Sequence, residues 1–564
     1  MDCTTPIYSN DYFDFINTLS GREGVYSDEN VCVQPLEGDF EVLFYPRELE
    51  MGEIQISRYT YLGIPKCYAL MSTEALEGTG ILTMQNFPTL PLKGTGVLIG
   101  FVDTGIDYLN PIFQSENGTT RILRIWDQTI REGNMPEGFL YGSEYTAEEI
   151  NQAIRSENPY EIVPSRDLDG HGTFLAGVAA GSQDVAGDFI GAAPSADIAI
   201  VKLKEAKQYL RDFYYIREDA AAYQENDIMA GISYLHDLAY RLSKPLVICI
   251  GLGTNTSGHG GVSPLASLLN YIAVRRMRAV TVAAGNEANS RRHYQGNLLP
   301  QQEYDEVEIS VGENVKGFIA ELWTNAPEVV SISIQSPTGE VQPLVPARQG
   351  ERVEYNFLLE GTRVTIDYSL AEYTRNNELI FMRFSAPSKG IWRIRVFSTN
   401  YVTGRFHIWL PTSEFTEGEL FFLRSNPETT ITGPSGALSP MTVGGFNAAD
   451  NSLYLDSGRG YNIYDQVKPD FLAPAVNVYG PDLHSHFTTK TGTGIAAAIA
   501  AGASAQMLEW GVVRGNQSTM NTVEIKNYFL VGADRDPERT YPNREEGYGR
   551  LNIYQAFIKM RRTT

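Results

Sequence analysis

The sequence predicts an α/β protein built on a parallel sheet, with a small α+β module ahead of it and a β-sandwich inserted into it. Three observations carry this. Near-continuous apolar runs (GVLIGFVD, DIAIVKL, KPLVICIGLG and RAVTVAAGN) alternate with helical stretches such as DAAAYQENDIMAGISYLHDLAYRLS. Such runs are expected of strands buried on both faces of a parallel sheet. Further along, the helical pattern gives way to DEVEISV, GFIAELW, VVSISIQS, RVTIDYSL, ELIFMRFS, IWRIRVFS and RFHIWLP, separated by turns such as PTGE and PSKG. Short strands so spaced predict a sandwich of the jelly-roll kind. Finally the α/β texture resumes with MTVGGF, KPDFLAPA and an alanine-rich helix, so the β block interrupts one domain.

In order along the chain, residues 1–92 are expected to form a small α+β N-terminal module. Its β-like runs are FEVLFYP (Phe40–Pro46) and YTYLGIPKCYAL, and it closes in the turn-rich link NFPTLPLKGTG. Residues 93–298 and 429–564 form the α/β domain, and 299–428 the inserted β domain. With 43% apolar and 20% charged residues, the chain can bury a sizeable core. A net charge of −23 argues against a nucleic-acid partner, which needs clustered Lys and Arg. Cys3, Cys32, Cys67 and Cys249 match no zinc or redox spacing and are expected as reduced thiols. The start MDCTTPIYSNDYFDFINTLS has neither the basic region nor the apolar core of a secretory signal, which predicts synthesis in the cytoplasm without export. No run approaches the roughly 18 apolar residues of a membrane span.

Four local motifs bear chemistry. Asp103 ends the strand GVLIGFVD, where open α/β sheets gather functional groups. His171 opens a small-residue helix in DLDGHGTFLAGVAAG, and Asn286 follows the strand RAVTVAAGN. The stretch TGTGIAAAIAAGASA, Thr491–Ala505, starts a second small-residue helix. Each alone has a bland explanation as a cap or turn. Their small helices predict close packing of one helix on the other.

Together, strand–Asp–Thr–Gly, Gly–His–Gly–Thr, strand–Ala–Gly–Asn and Gly–Thr–X before a helix resemble the subtilisin-like serine proteases, in that family's order of Asp, His and nucleophile. The resemblance covers residues 95–298 and 429–558 and implies a subtilisin-like fold. It implies Asp103 and His171 as catalytic residues, Asn286 as the oxyanion donor, and Gly251, Leu252, Gly253, Ala284 and Gly285 as substrate-binding. Gly494 stands where the family has its serine nucleophile. Without that hydroxyl no acyl-enzyme forms, a loss on the order of a millionfold in turnover. Thr493 precedes the position, and Ser504 lies about 15 Å along the helix.

The N-terminal module, the inserted jelly roll and AAAIAAG narrow the resemblance to the Csp germination proteases of clostridial spores. That group implies a regulatory or signalling pseudoprotease made in the mother cell and incorporated into the spore. The alternative is a serine endopeptidase that processes a cortex-hydrolase precursor and here carries a Ser-to-Gly substitution. The resemblance makes residues 1–92 prodomain-like, and the implied partners are this N-terminal module in the substrate groove, with NFPTLPLK near its exit, and other germination proteases or the hydrolase precursor. No cofactor is expected. Subtilases often hold structural calcium, and the acidic loop SQDVAGDF (Ser182–Phe189) has suitable composition, but its spacing assigns no metal ligands. Asp103-Thr-Gly and Asp456-Ser-Gly also match the paired motifs of aspartic proteases, a reading that leaves His171 and Asn286 without roles.

Overall fold

The computed structural model describes residues 4–18, 31–47, 54, 56, 60–70, 79–372 and 377–563. An eight-stranded sheet organises the α/β part. In spatial order its strands are Phe471–Pro474, Met441–Phe446, Arg278–Ala283, Leu246–Ile250, Leu98–Asp103, Asp197–Lys202, Ile122–Asp127 and Ser143–Thr146. Every pairing is parallel except that between the last two. The three central strands are buried throughout, which explains their unbroken apolar sequence.

Alternate residues feed two cores, as the two-residue period of a strand requires. Ile99, Phe101, Val247 and Ala279 join a core with helices His171–Ala180 and Thr493–Leu508. Leu98, Val102, Ile248 and Val280 face helices Glu225–Arg241 and Pro264–Ala273 instead. The first two helices are buried at every position, which only small residues permit at such close range. A Cβ on Gly502 would lie 2.3 Å from the Ala192 Cβ and 2.9 Å from the Ala179 carbonyl oxygen. The segment Thr493–Val513 is long and apolar enough to cross a membrane, but most of it lies inside the protein as this core helix.

Strands from His293–Asn297 to Leu420–Phe422 make two antiparallel sheets, of six and four strands. Their facing sides share a core around Phe318, Ile332, Phe384 and Trp392. The molecule is thus an α/β fold with an inserted β-sandwich, as the sequence predicts.

Ahead of it, Tyr12–Thr18, Phe40–Pro46 and Cys32–Leu36 form a three-stranded antiparallel sheet. It abuts helix Glu225–Arg241, where the Glu37 N–H donates to Ser233 Oγ at 3.3 Å. Two expectations need correction here. Cys32 is disulfide-bonded, Cys67 and Cys249 are free, and Cys3 lies outside the described residues. The link NFPTLPLK lies far from the start of helix Thr493–Leu508: the Lys93 N–H donates to Glu509 at 2.8 Å, beyond that helix's other end. Phe87 packs beside Tyr554, with ring centroids 6.4 Å apart.

Candidate active site

The carboxyl ends of adjacent strands Leu98–Asp103, Leu246–Ile250 and Arg278–Ala283 deliver the predicted residues to one edge of the sheet. His171 Nδ1 lies 2.7 Å from Asp103 Oδ1, and both side chains are almost wholly buried. The Thr104 N–H donates to the same Asp103 oxygen at 2.8 Å, and Thr104 Oγ1 accepts from the Gly172 N–H at 2.9 Å. These bonds fix the carboxylate and the start of the histidine helix in one arrangement. Gly251 sits directly against the pair. A Cβ there would be 3.3 Å from His171 Cε1 and 2.5 Å from Leu175 Cδ1, so a larger residue would displace Leu175 and crowd the imidazole.

The histidine helix starts with no side-chain cap at its N-cap, Gly170. Asp167 caps it from three residues upstream, accepting from the Gly170 N–H at 2.9 Å, the Thr173 N–H at 2.9 Å and the Thr173 hydroxyl at 2.7 Å. Asp169 accepts from the His171 N–H at 3.1 Å; burial raises its carboxyl, and the nearby His171 opposes that shift.

A second cluster surrounds Gly494. Thr493 and Gly494 are the first residues of helix Thr493–Leu508 and are fully buried. Asn286 Oδ1 accepts from the Thr493 N–H at 3.0 Å and from its hydroxyl at 3.1 Å, while the Gly285 N–H donates to Thr493 Oγ1 at 3.0 Å. Asn286 therefore has its oxygen committed to the helix and its amide nitrogen left for another acceptor. Gly285 has φ +100°, and a Cβ on it would strike Thr432 Oγ1 at 2.5 Å. The Ala284 N–H donates to the Val443 carbonyl at 3.0 Å and its own carbonyl accepts from the Thr432 N–H at 2.9 Å, locking this turn to the sheet. Ser504 is turned into the helix, donating to the Ala500 carbonyl at 2.6 Å.

Leu252–Gly253 pairs antiparallel with Cys67–Leu70, Leu252 opposite Leu70 and Gly253 opposite Ala69. The other side of Cys67–Leu70 pairs with Tyr223–Gln224, Cys67 opposite Gln224 and Tyr68 opposite Tyr223. A strand of the N-terminal module is thus the middle member of a three-stranded sheet whose flanking strands belong to the α/β domain.

Several participants went unmarked in the sequence. The aspartates of DLDGHG and the glutamate after Asn286 are visible beside their motifs, whereas Glu414 comes from the far end of the inserted block. Glu287, buried, accepts from the Ser413 N–H at 3.1 Å and hydroxyl at 3.0 Å. Burial pushes the Glu414 carboxyl up, Glu287 adds to the shift, and His171 opposes it. Asp103 pairs with His171 and not with Asp456, whose carbonyl accepts from the Ala288 N–H at 3.1 Å. Among the described residues, no three His, Cys, Asp or Glu side chains gather as metal ligands.

The comparisons with known proteins agree with this fold. The CspB protease of Clostridium perfringens is similar to this chain at 30% sequence identity with a TM-score of 0.76, over 85% of this chain and 97% of that one. The subtilisin-like protease SBT3.6 of Arabidopsis thaliana is 28% identical over 213 residues, 34% of this chain. That match spans only 25% of the plant protein. The family model described as the Subtilase family matches residues 94–346 and 412–549, well over half of the sequence, and the chain belongs to that family.

Proposed function

We propose that this subtilase is a regulatory or signalling pseudoprotease of the spore-germination type, which holds peptide but does not cut it. The observation that carries this reading is Gly494 at the start of the helix beside an assembled Asp103–His171 pair. Histidine in such a pair serves as a base only when a hydroxyl is within reach. In this reading Cys67–Leu70 fills the substrate groove, its backbone paired on both sides as a bound peptide would be. The N-terminal module then stays covalently attached and acts as the resident occupant.

The purified chain is expected to run as one band near its 62.6 kDa mass and to take no fluorophosphonate label. Spontaneous scission, or labelling at the helix start, would contradict the proposal. For the regulatory role, partners captured from spore extract should be the same for the chain and for His171→Ala; loss of capture in the variant points to residual enzyme chemistry.

A second reading, an endopeptidase acting on a cortex-hydrolase precursor with its serine replaced, draws on the retained Asp103, His171 and Asn286. Gly494→Ser separates the two. Self-cleavage just beyond Leu70 restores the endopeptidase, and an uncut Gly494→Ser chain that folds favours the scaffold.

A further inference from the structure

Calcium is the group that the fold family would bring to this chain, and the acidic loop after the histidine helix is where composition would put it. The residues there do not fit it. Asp184 Oδ1 accepts from the Ala186 N–H at 2.9 Å and the Gly187 N–H at 3.1 Å, so it closes its own turn. Asp188 is exposed with φ +49°. Next to the loop, however, four oxygens from three separate segments converge on one point, and a side chain already occupies it. Arg121 Nη1 donates to the Ala196 carbonyl at 2.6 Å. Arg121 Nη2 lies 2.6 Å from the Ala180 carbonyl, 2.8 Å from the Ile112 carbonyl and 2.9 Å from Ser182 Oγ, so its two hydrogens serve three acceptors, one of them shared.

We propose that Arg121 is the resident cation of this cage, so that the end of the histidine helix is held by a guanidinium and takes no divalent metal. Three features support it. The donors are neutral carbonyls and one hydroxyl, whereas calcium sites gather six to eight oxygens, commonly including carboxylates, at about 2.3–2.6 Å. The spread of 2.6–2.9 Å suits N–H···O bonds to a planar fork of fixed donors. Ala180 is the last residue of helix His171–Ala180, where the carbonyl end of the helix dipole favours a positive charge. Arg121 is buried, which draws its guanidinium down to about 10, still protonated at neutral pH. One side chain thereby ties Ile112, Ala180, Ser182 and Ala196 together at the end of the helix opposite His171, a proposal independent of what the groove binds.

The test uses the full chain. Millimolar EDTA or calcium chloride should move the Tm by less than about 1 °C and leave hydrogen exchange across residues 172–190 unchanged. Arg121→Ala should lose about 5–10 °C in Tm, because buried carbonyls lose their donor. Low-millimolar guanidinium should recover part of that loss, while equal urea should not. If Arg121→Ala does not fold, Arg121→Lys replaces it: one ammonium has three donors on a single nitrogen and cannot reach all four oxygens, so exchange across residues 172–190 should rise. EDTA lowering the Tm or raising that exchange in the unmodified chain, reversed by calcium, would overturn the proposal. So would calcium restoring Arg121→Ala, no response of that variant to guanidinium, or Arg121→Lys exchanging like the unmodified chain.

Discussion

The seam that holds the N-terminal module and the seam that holds the inserted sandwich are both buried, yet they are made of different chemistry. At the first, Asp14 is inaccessible to solvent and takes hydrogen bonds from Lys207 at 2.6 Å, Gln224 at 2.6 Å and Asn226 at 3.2 Å. At the second, Trp409 stacks on His259 with centroids 4.1 Å apart and on His293 at 4.8 Å, and His293 Nε2 lies 3.0 Å from His407 Nδ1. A buried ion pair anchors one seam; a stack of uncharged rings lies at the centre of the other. A lost partner therefore threatens the first, and a gained proton the second.

The largest expected effect tests the first half of that contrast. Lys207→Ala leaves the Asp14 carboxylate buried without its cation, a loss of about 3–5 kcal/mol, read as a lower denaturation midpoint with hydrogen exchange rising first across residues 12–18. A change below about 1 kcal/mol would show that water reaches the seam.

A smaller effect tests the second half. Burial lowers His259 to about 4 and, with His259 adding, His293 to about 3; burial also takes His407 well below its usual value, with His293, Arg405, His259 and Arg544 adding to that shift. The carbonyls of Ile431 and Asn255 pull His259 the other way. The unfolded chain takes up protons near pH 6.5 that the folded chain refuses, so this stability is complete above pH 6.5 and falls below it. Glu321 and Glu378, raised by burial to about 7 and about 8, work oppositely and gain protons on folding. The measurement must therefore be a difference. Between pH 6.5 and 5, unmodified chain should lose about 2 kcal/mol more than His293→Gln; parallel profiles would mean that the imidazole already titrates normally.

The smallest effect calibrates both. Ser504→Ala removes a hydroxyl bonded only within its own helix and should cost less than about 1 kcal/mol. In the Gly494→Ser background it should leave any self-cleavage rate untouched, since Ser504 faces the Ala500 carbonyl.

The contrast also shows what a sequence can carry. Asp103, His171, Asn286 and the glycine before Ile495 were legible because strand-end and helix-start positions have short-range signatures. So was the close helix pair, since Ala176, Gly177, Ala179 and Gly502 exclude bulk. The β block was recognisable by its strand spacing. Pairings across long intervals were not. Nothing near Arg121 announces carbonyls from residues 112, 180 and 196, and nothing in Phe213 or Arg383 foretells the 3.1 Å bond joining the histidine-bearing domain to the sandwich. NFPTLPLK was misplaced for a related reason: turn-rich composition marks a link without saying where it runs. Cys32 was misread because its bond depends on a contact that spacing does not encode.

The strand Cys67–Leu70 is continuous in the chain with the body it pairs with, and this governs competition for its place. A tethered segment meets its docking site at an effective concentration in the millimolar range, set by chain length and not by how much protein is present. A free peptide of equal intrinsic affinity at micromolar levels would displace it in only about one molecule per thousand. Exchange at these two short ladders is therefore a first-order event, and diluting the protein leaves it unchanged.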